Sequence, residues 1–202
     1  ITLEVIVPDE NILSNGGFED GISPWTTGAG GAVVITNEAF NGLQAAKFDF
    51  PAADNSTLQQ QFAPAAGIAT NVYTFTFSAN TMEHPELLGI RPLVGEWSAA
   101  NGWTWHNGTT EWVAAGTAGW VTYSQNFTLT DDQLQSLWVG LKHFPQGDPK
   151  LAGSVLLDDI LLEPAVVPFP VVDAPNLLVN GDLTQSTNEV DYTGGAMPGW
   201  WT

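Results

Sequence analysis

Apolar and polar residues alternate along most of this chain with a period of two, and nowhere do they recur convincingly at helical spacing. Successive side chains of an extended chain point to opposite sides, so alternation predicts a strand with one face toward a core. Val72–Asn80 is the clearest case, with Tyr73, Phe75 and Phe77 on one side and Thr74, Thr76, Ser78 and Asn80 on the other. Ala45–Phe50 sets Ala46, Phe48 and Phe50 against Lys47 and Asp49, and the next run sets Leu58, Gln60 and Phe62 against Gln59 and Gln61. Val121, Tyr123, Phe127 and Leu129 share a face of 120–129, while Leu137, Val139 and Leu141 oppose Trp138 and Lys142 in 137–144. Runs at 3–7, 31–35, 88–97 and 155–162 complete the set. The segment TDDQLQS, 130–136, starts with an N-cap threonine followed by acids and predicts at most a surface turn of helix. Short strands separated by Gly- and Pro-containing turns predict an all-β fold, an antiparallel β-sandwich of jelly-roll type.

One stretch is written twice. NILSNGGFEDGISPW starts at Asn11, and NLLVNGDLTQS starts again at Asn176, 165 residues later. Each puts an apolar pair before Asn-Gly and reads as a short strand entering a turn. The spacing suits one whole domain rather than a solenoid unit. The expected organisation is therefore a lead-in strand over 1–10, a sandwich over 11–163, a proline-rich linker over 164–175 and the start of a second, truncated repeat over 176–202.

Charge narrows the partners. The chain carries 22 acidic and 4 basic residues, a formal charge of −18, which repels phosphate backbones and anionic lipid heads. Nucleic acid is excluded as a partner, cations and neutral polymers remain, and no apolar run is long enough to insert in a bilayer. Such self-repulsion needs divalent ions or external salt to offset it, which points to a secreted or cell-surface, extracellular protein. The first residue, Ile1, points to a mature or excised segment. There is no cysteine, and a domain of about 165 residues buries about 70% of its unfolded surface, so no disulfide is needed.

The segments NILSNGGFEDG, FNGLQAAKF, TLQQQFAP, YTFTFSAN, WVTYSQNFTL and VLLDDILL follow one another between 11 and 163. In that order they resemble the carbohydrate-binding modules of families 4, 9 and 22, which open with N-L-L-x-N-G-x-F-E and close on a strand ending I-D-D-V. The resemblance implies a jelly-roll sandwich, glycan binding without catalysis, and a structural calcium. The calcium ligands it implies are Glu19, Asp158, the carbonyl of Lys47 and a carbonyl near Asn41. The chemistry agrees: calcium takes six to eight oxygens, and carboxylates at the two ends of a sandwich would clamp its first and last strands. Asp158 shares its parity with Leu156, Ile160 and Leu162, so alternation points it inward, where a carboxylate without a cation is costly.

Trp97, Trp103, Trp105 and Trp112 fall in EWSAANGWTWHNGTTEW, a Gly- and Asn-rich segment that can hardly bury four indoles. Exposed aromatics in a loop point to binding. A sugar ring stacks its C–H face on indole while its hydroxyls seek polar partners, which Asn101, Asn107, Glu96 and Glu111 would supply. The competing reading is a tryptophan hairpin packed on its own sheet. Trp138 joins Thr74, Thr76, Gln59 and Gln61 in a polar groove if its face is the concave one, or lies under a loop if it is not. Trp25 and Trp120 read as core. His84, His106 and His143 show no metal-ligand spacing, and no nucleophile motif of a hydrolase is present. The leading function is a non-catalytic, calcium-stabilised module binding a polysaccharide chain. The alternative is a structural repeat of an extracellular adhesin or filament that assembles with neighbouring copies by strand addition.

Overall fold

The computed structural model describes residues 11–51, 55–65, 72–81, 90–108, 119–143 and 152–165, all within one compact unit, Ile1–Val166. Among them are ten strands: β1 (Thr26–Gly28), β2 (Ala32–Thr36), β3 (Ala45–Phe50), β4 (Thr57–Phe62), β5 (Val72–Asn80), β6 (Ile90–Ser98), β7 (Gly102–Asn107), β8 (Trp120–Thr128), β9 (Ser136–His143) and β10 (Gly153–Pro164). They form two five-stranded sheets, β1-β4-β9-β6-β7 and β2-β3-β10-β5-β8, in which every pairing is antiparallel. The expected jelly-roll sandwich is the fold found. The expected strand at 3–7, the linker from 166 onward and the second repeat at 176–202, on whose tail the strand-addition reading rests, lie outside the described residues.

The period-two pattern places the core as expected. Phe48, Phe50, Leu58, Phe75, Phe77, Phe127, Leu137, Val139 and Leu141 are buried between the sheets. Phe75 meets Phe77 and Phe127 edge-on at centroid distances of 6.0 and 6.2 Å, an arrangement favoured by the ring quadrupoles. Among the described residues no helix is long and apolar enough to cross a membrane. The acidic segment 130–136 is a turn without helix.

Three details depart from the sequence reading. The opening stretch is not a strand. It is a run of bends that clasps β10, with Ile12 N–H donating to Leu162 O at 3.0 Å, Leu162 N–H to Asn11 Oδ1 at 2.8 Å and Ile160 N–H to Gly16 O at 3.0 Å. A Cβ on Gly16 would lie 1.9 Å from Ile160 O, so only glycine permits this approach. Secondly, the Trp-rich loop is a hairpin, β6–β7, because its aromatic and threonine residues pair well on a pleated surface. Thirdly, β10 shifts register between Asp158 and Leu161, with Asp159 at φ 47°. The bulge reverses the parity: Val155 and Leu157 face the core before it, and Ile160 and Leu162 after it. Asp158 therefore does not share its face with Ile160 and Leu162.

Trp25 is core, as expected. Its indole N–H donates to Asn15 O at 2.9 Å, and Phe18 packs on it at a centroid distance of 5.6 Å. Trp120 is only half-buried at a strand end, under Phe40 at 5.8 Å.

Candidate functional site

The outer face of the sheet β1-β4-β9-β6-β7 collects the aromatics. Alternation turns Arg91, Leu93, Gly95 and Trp97 of β6 outward, together with Trp103, Trp105 and Asn107 of β7, while Val94 and Glu96 are buried on the inner side. Register aligns Gln61, Trp138, Gly95 and Trp105 in one row across β4, β9, β6 and β7. Gly95 leaves the row open, and the Trp105 ring lies over it. A Cβ there would stand 2.5 Å from Trp105 Cζ3.

Trp103 and Trp105 are 40% and 44% exposed, and their rings stack with centroids 5.0 Å apart at 14°. Two nearly parallel, stacked indoles held on a strand make an exposed apolar platform. Trp105 also meets Trp138 edge-on at 5.4 Å, and Trp138 is 6% exposed. Trp138 is therefore a support beneath the platform, in edge contact with the Trp105 indole. Trp97 is half-buried opposite Trp103.

Beside the platform is a cleft of about 440 Å³ lined by Asn55, Thr57, Gln59, Leu93, Trp105, Asn107, Trp138 and Lys142. Its polar groups are amides, a hydroxyl and an ammonium, suited to hydroxyl-bearing ligands. Arg91 Nη2 donates to Asn107 Oδ1 at 3.3 Å, which brings a guanidinium to the same end as Lys142. Burial lowers the Arg91 pKa, and burial followed by the neighbouring Arg91 charge lowers that of Lys142.

Behind the hairpin the inner positions are locked. Glu96 is fully buried and accepts N–H bonds from Thr130 at 2.9 Å and Asp131 at 2.8 Å, and it also pairs with His106 Nε2. Glu96 thus ties β6 and β7 to the 130–131 turn and does not face a ligand, contrary to its expected place beside the rings. Asp131 is held below the usual carboxylate range by the Ser98 hydroxyl and the Gln133 N–H.

The other expected ligand-binding residues divide. Asn107 lines the cleft, and Asn101 is exposed in the β6–β7 turn with its N–H on Ser98 Oγ at 3.1 Å, away from the cleft lining. Glu111 and Trp112 lie outside the described residues, as does His84. Thr74 and Thr76 are on the opposite sheet, where they hydrogen-bond Asn126 at 2.9 Å and Ser124 at 3.3 Å, so they share no groove with Trp138. Alternation shows which residues share one face of a strand, but not which sheet that strand joins. Sequence reasoning missed Asn55, Thr57, Arg91, Leu93 and Gly95. Counting back in twos from Trp97 along β6 reaches Gly95, Leu93 and Arg91.

The expected calcium ligands meet around the loop 40–44, where their oxygens face N–H groups. Asp158 is fully buried, with Oδ2 accepting from Phe40 N at 2.9 Å and Asn41 N at 3.1 Å, and Oδ1 from Asp159 N at 2.8 Å. Burial raises its pKa against those three bonds. Glu19 Oε1 accepts from Leu43 N at 2.7 Å and Gln44 N at 3.0 Å, and Asn41 Oδ1 from Gly42 N at 3.0 Å. Lys47 is paired on both sides, with Val34 and Leu156 opposite it, and its Nζ lies 3.5 Å from Asp49. A cation site needs converging oxygens, whereas here amide donors converge on the carboxylates. Among the described residues no three His, Cys, Asp or Glu side chains gather as a metal site.

No protein-family model and no curated protein matches the sequence. Solved structures do match in fold. A xylan-binding domain of carbohydrate-binding family 22 aligns with a TM-score of 0.56 at 14% identity, covering 79% of this chain and 99% of that domain. The C-terminal family 22 carbohydrate-binding module of Clostridium thermocellum Xyn10B aligns with a TM-score of 0.54 at 14% identity, over 76% of this chain and 98% of the module. The enzymatically active domain of tailspike protein 4 of bacteriophage CBA120 aligns at 0.56 and 12% identity over 77% of this chain, which spans only 21% of the tailspike chain. The chain has the β-sandwich fold of family 22 carbohydrate-binding modules.

Proposed function

We propose that this sandwich is a non-catalytic carbohydrate-binding module that takes a single β-glycan chain along the outer face of its β1-β4-β9-β6-β7 sheet. The observation that carries this reading is the Trp103–Trp105 pair, stacked at 14°, exposed and set beside a cleft lined with amides and hydroxyl. A sugar ring lays its C–H face on such a platform and turns its hydroxyls to Asn55, Thr57, Gln59 and Asn107. None of the residues lining the cleft is a carboxylate, so the described site offers no acid–base pair for glycoside hydrolysis. Xylan is the first ligand to try, since two domains of this fold are described as xylan-binding. Extracellular placement follows from a polysaccharide ligand.

The test is affinity electrophoresis in gels containing soluble xylan, mixed-linkage glucan or galactan. Retardation by one of them is expected, and Trp103→Ala should weaken it by about 1–3 kcal/mol, the range of aromatic hot spots, while leaving the melting temperature nearly unchanged. Mobility unaltered in every gel would refute the reading.

A further inference from the structure

We infer that the glycan taken by this cleft carries O-acetyl groups, one of which seats its methyl between Leu93 and Trp138 and its carbonyl on the Asn107 amide; the inference rests on the glycan-binding reading above. The register lays a second row across the outer face, Gln59, Gly140, Leu93 and Asn107, next to the row that holds Trp138 and Trp105. Leu93 therefore stands one strand from Asn107, about 4.8 Å in the direction of pairing. Trp138 is its diagonal neighbour across β6 and β9, and Gly140, directly opposite Leu93, puts no side chain between them. Leu93 and Trp138 both line the cleft, yet each is only 6% exposed. An apolar spot so recessed admits a methyl group rather than a sugar ring, and the rings have their own surface on Trp103 and Trp105.

The amides flanking that spot are oriented as donors. Asn107 Oδ1 accepts from Arg91 Nη2 at 3.3 Å, and because guanidinium only donates, the NH2 of Asn107 is the end offered to a ligand. Gln59 Oε1 accepts from Thr57 Oγ1 at 2.7 Å, which likewise turns its NH2 to the cleft. None of the lining residues is a carboxylate, so strong acceptors are missing where donors are plentiful. A free sugar hydroxyl turned to this floor would set its O–H against leucine and indole, and a polar group buried without a partner is costly. Acetylation removes that donor. In its place stand an ester carbonyl, which accepts only, and a methyl, which Leu93 and Trp138 shield from water. The group adds no charge, so a protein of formal charge −18 does not repel it.

Calorimetric titration with an O-acetylated xylan and with the same polymer after deacetylation tests this. The acetylated polymer should bind about four-fold tighter or better, the factor that one buried methyl-sized group supplies. Leu93→Asn puts an amide where the methyl would sit and should bring that ratio close to one. Asn107→Asp keeps an oxygen facing Arg91, replaces the NH2 by a second oxygen, and should do the same. Melting curves report that each variant folds, and the nearly isosteric Asn107→Asp answers the question even where Leu93→Asn does not fold. Equal binding of the two polymers by the native protein overturns the inference and leaves the glycan-binding reading standing. A preference kept in full by the folded Asn107→Asp protein, or tighter binding of the deacetylated polymer, overturns the inference alone. Failure to bind either polymer overturns both for this backbone.

Discussion

Replacing Gly95 by alanine separates the platform from the fold. The new Cβ would stand 2.5, 2.8 and 3.0 Å from Cζ3, Cε3 and Cη2 of Trp105. Carbon contacts are comfortable at about 3.5–4.0 Å, so the ring must rise by about 1 Å. The indole is 44% exposed, so it can lift at the cost of its ring contacts. What is lost is its edge contact with Trp138 at 5.4 Å and its alignment with Trp103 at 14°. Such aromatic contacts contribute about 0.5–1.5 kcal/mol, so stability should fall by about 1 kcal/mol. In a domain of this size that is a drop of about 2–4 °C in Tm. Binding should suffer more, because a lifted ring no longer keeps its stacked place against Trp103. We expect about a ten-fold loss of affinity for the glycan, equivalent to about 1.4 kcal/mol. Differential scanning fluorimetry and titration with the bound polysaccharide read the two effects separately. Unchanged affinity in a folded Gly95→Ala protein would refute the assignment of Trp105 as a platform, and a Tm loss above about 10 °C would show the ring to be structural.

Two further outcomes concern buried carboxylates. Glu96→Ala removes the acceptor of the Thr130 and Asp131 N–H groups and the partner of His106, and should destabilise by about 3 kcal/mol, measured by urea unfolding; a loss below about 1 kcal/mol would show that the turn is held elsewhere. Asp158 has a pKa raised by burial, so the folded state binds its proton more tightly than the unfolded chain does. Its contribution is therefore most favourable at low pH and declines as pH rises from the ordinary aspartate value, about 3.9, through its folded pKa. The native protein should lose Tm relative to Asp158→Asn over that interval, with no further change above it. A bound cation would depress that pKa and reverse the sign, so native protein that gains on the variant with rising pH, and loses the gain in chelator, would restore calcium.

The sandwich was legible in the sequence because burial imposes the period of two. Tyr73, Phe75 and Phe77 had to face one way whatever else was true, and all three are buried. The platform was legible as composition, four tryptophans in one polar segment, but not as geometry. That Trp105 covers Trp138 depends on β6 pairing with both β7 and β9, a long-range register that alternation does not encode. Asp158 failed for a local reason. A one-residue bulge reverses every later parity, and the DD pair gives no sign of which aspartate takes the left-handed conformation. Once turned from the core, its carboxylate meets the 40–44 loop and collects amide donors, whose hydrogen bonds offset part of the cost of burying it.

The same alternation joins anchor and platform in one hairpin. Among the described residues strand β7 stands last in its sheet, and an edge strand bearing two large exposed rings would be free to twist if its inner side were not held. Its inner His106 pairs with Glu96, whose neighbours Gly95 and Trp97 both face outward. Each residue that supports the rings therefore alternates with one that fixes the hairpin to the 130–131 turn. Holding the indoles parallel before a ligand arrives removes an ordering cost of about 0.5–1.5 kcal/mol for each side chain that would otherwise be immobilised on binding. It follows that the Glu96 and Gly95 substitutions weaken binding by different routes. A loosened hairpin loses affinity together with stability, and a lifted ring loses affinity with stability nearly kept, so the ratio of the two losses distinguishes the anchor from the surface it holds.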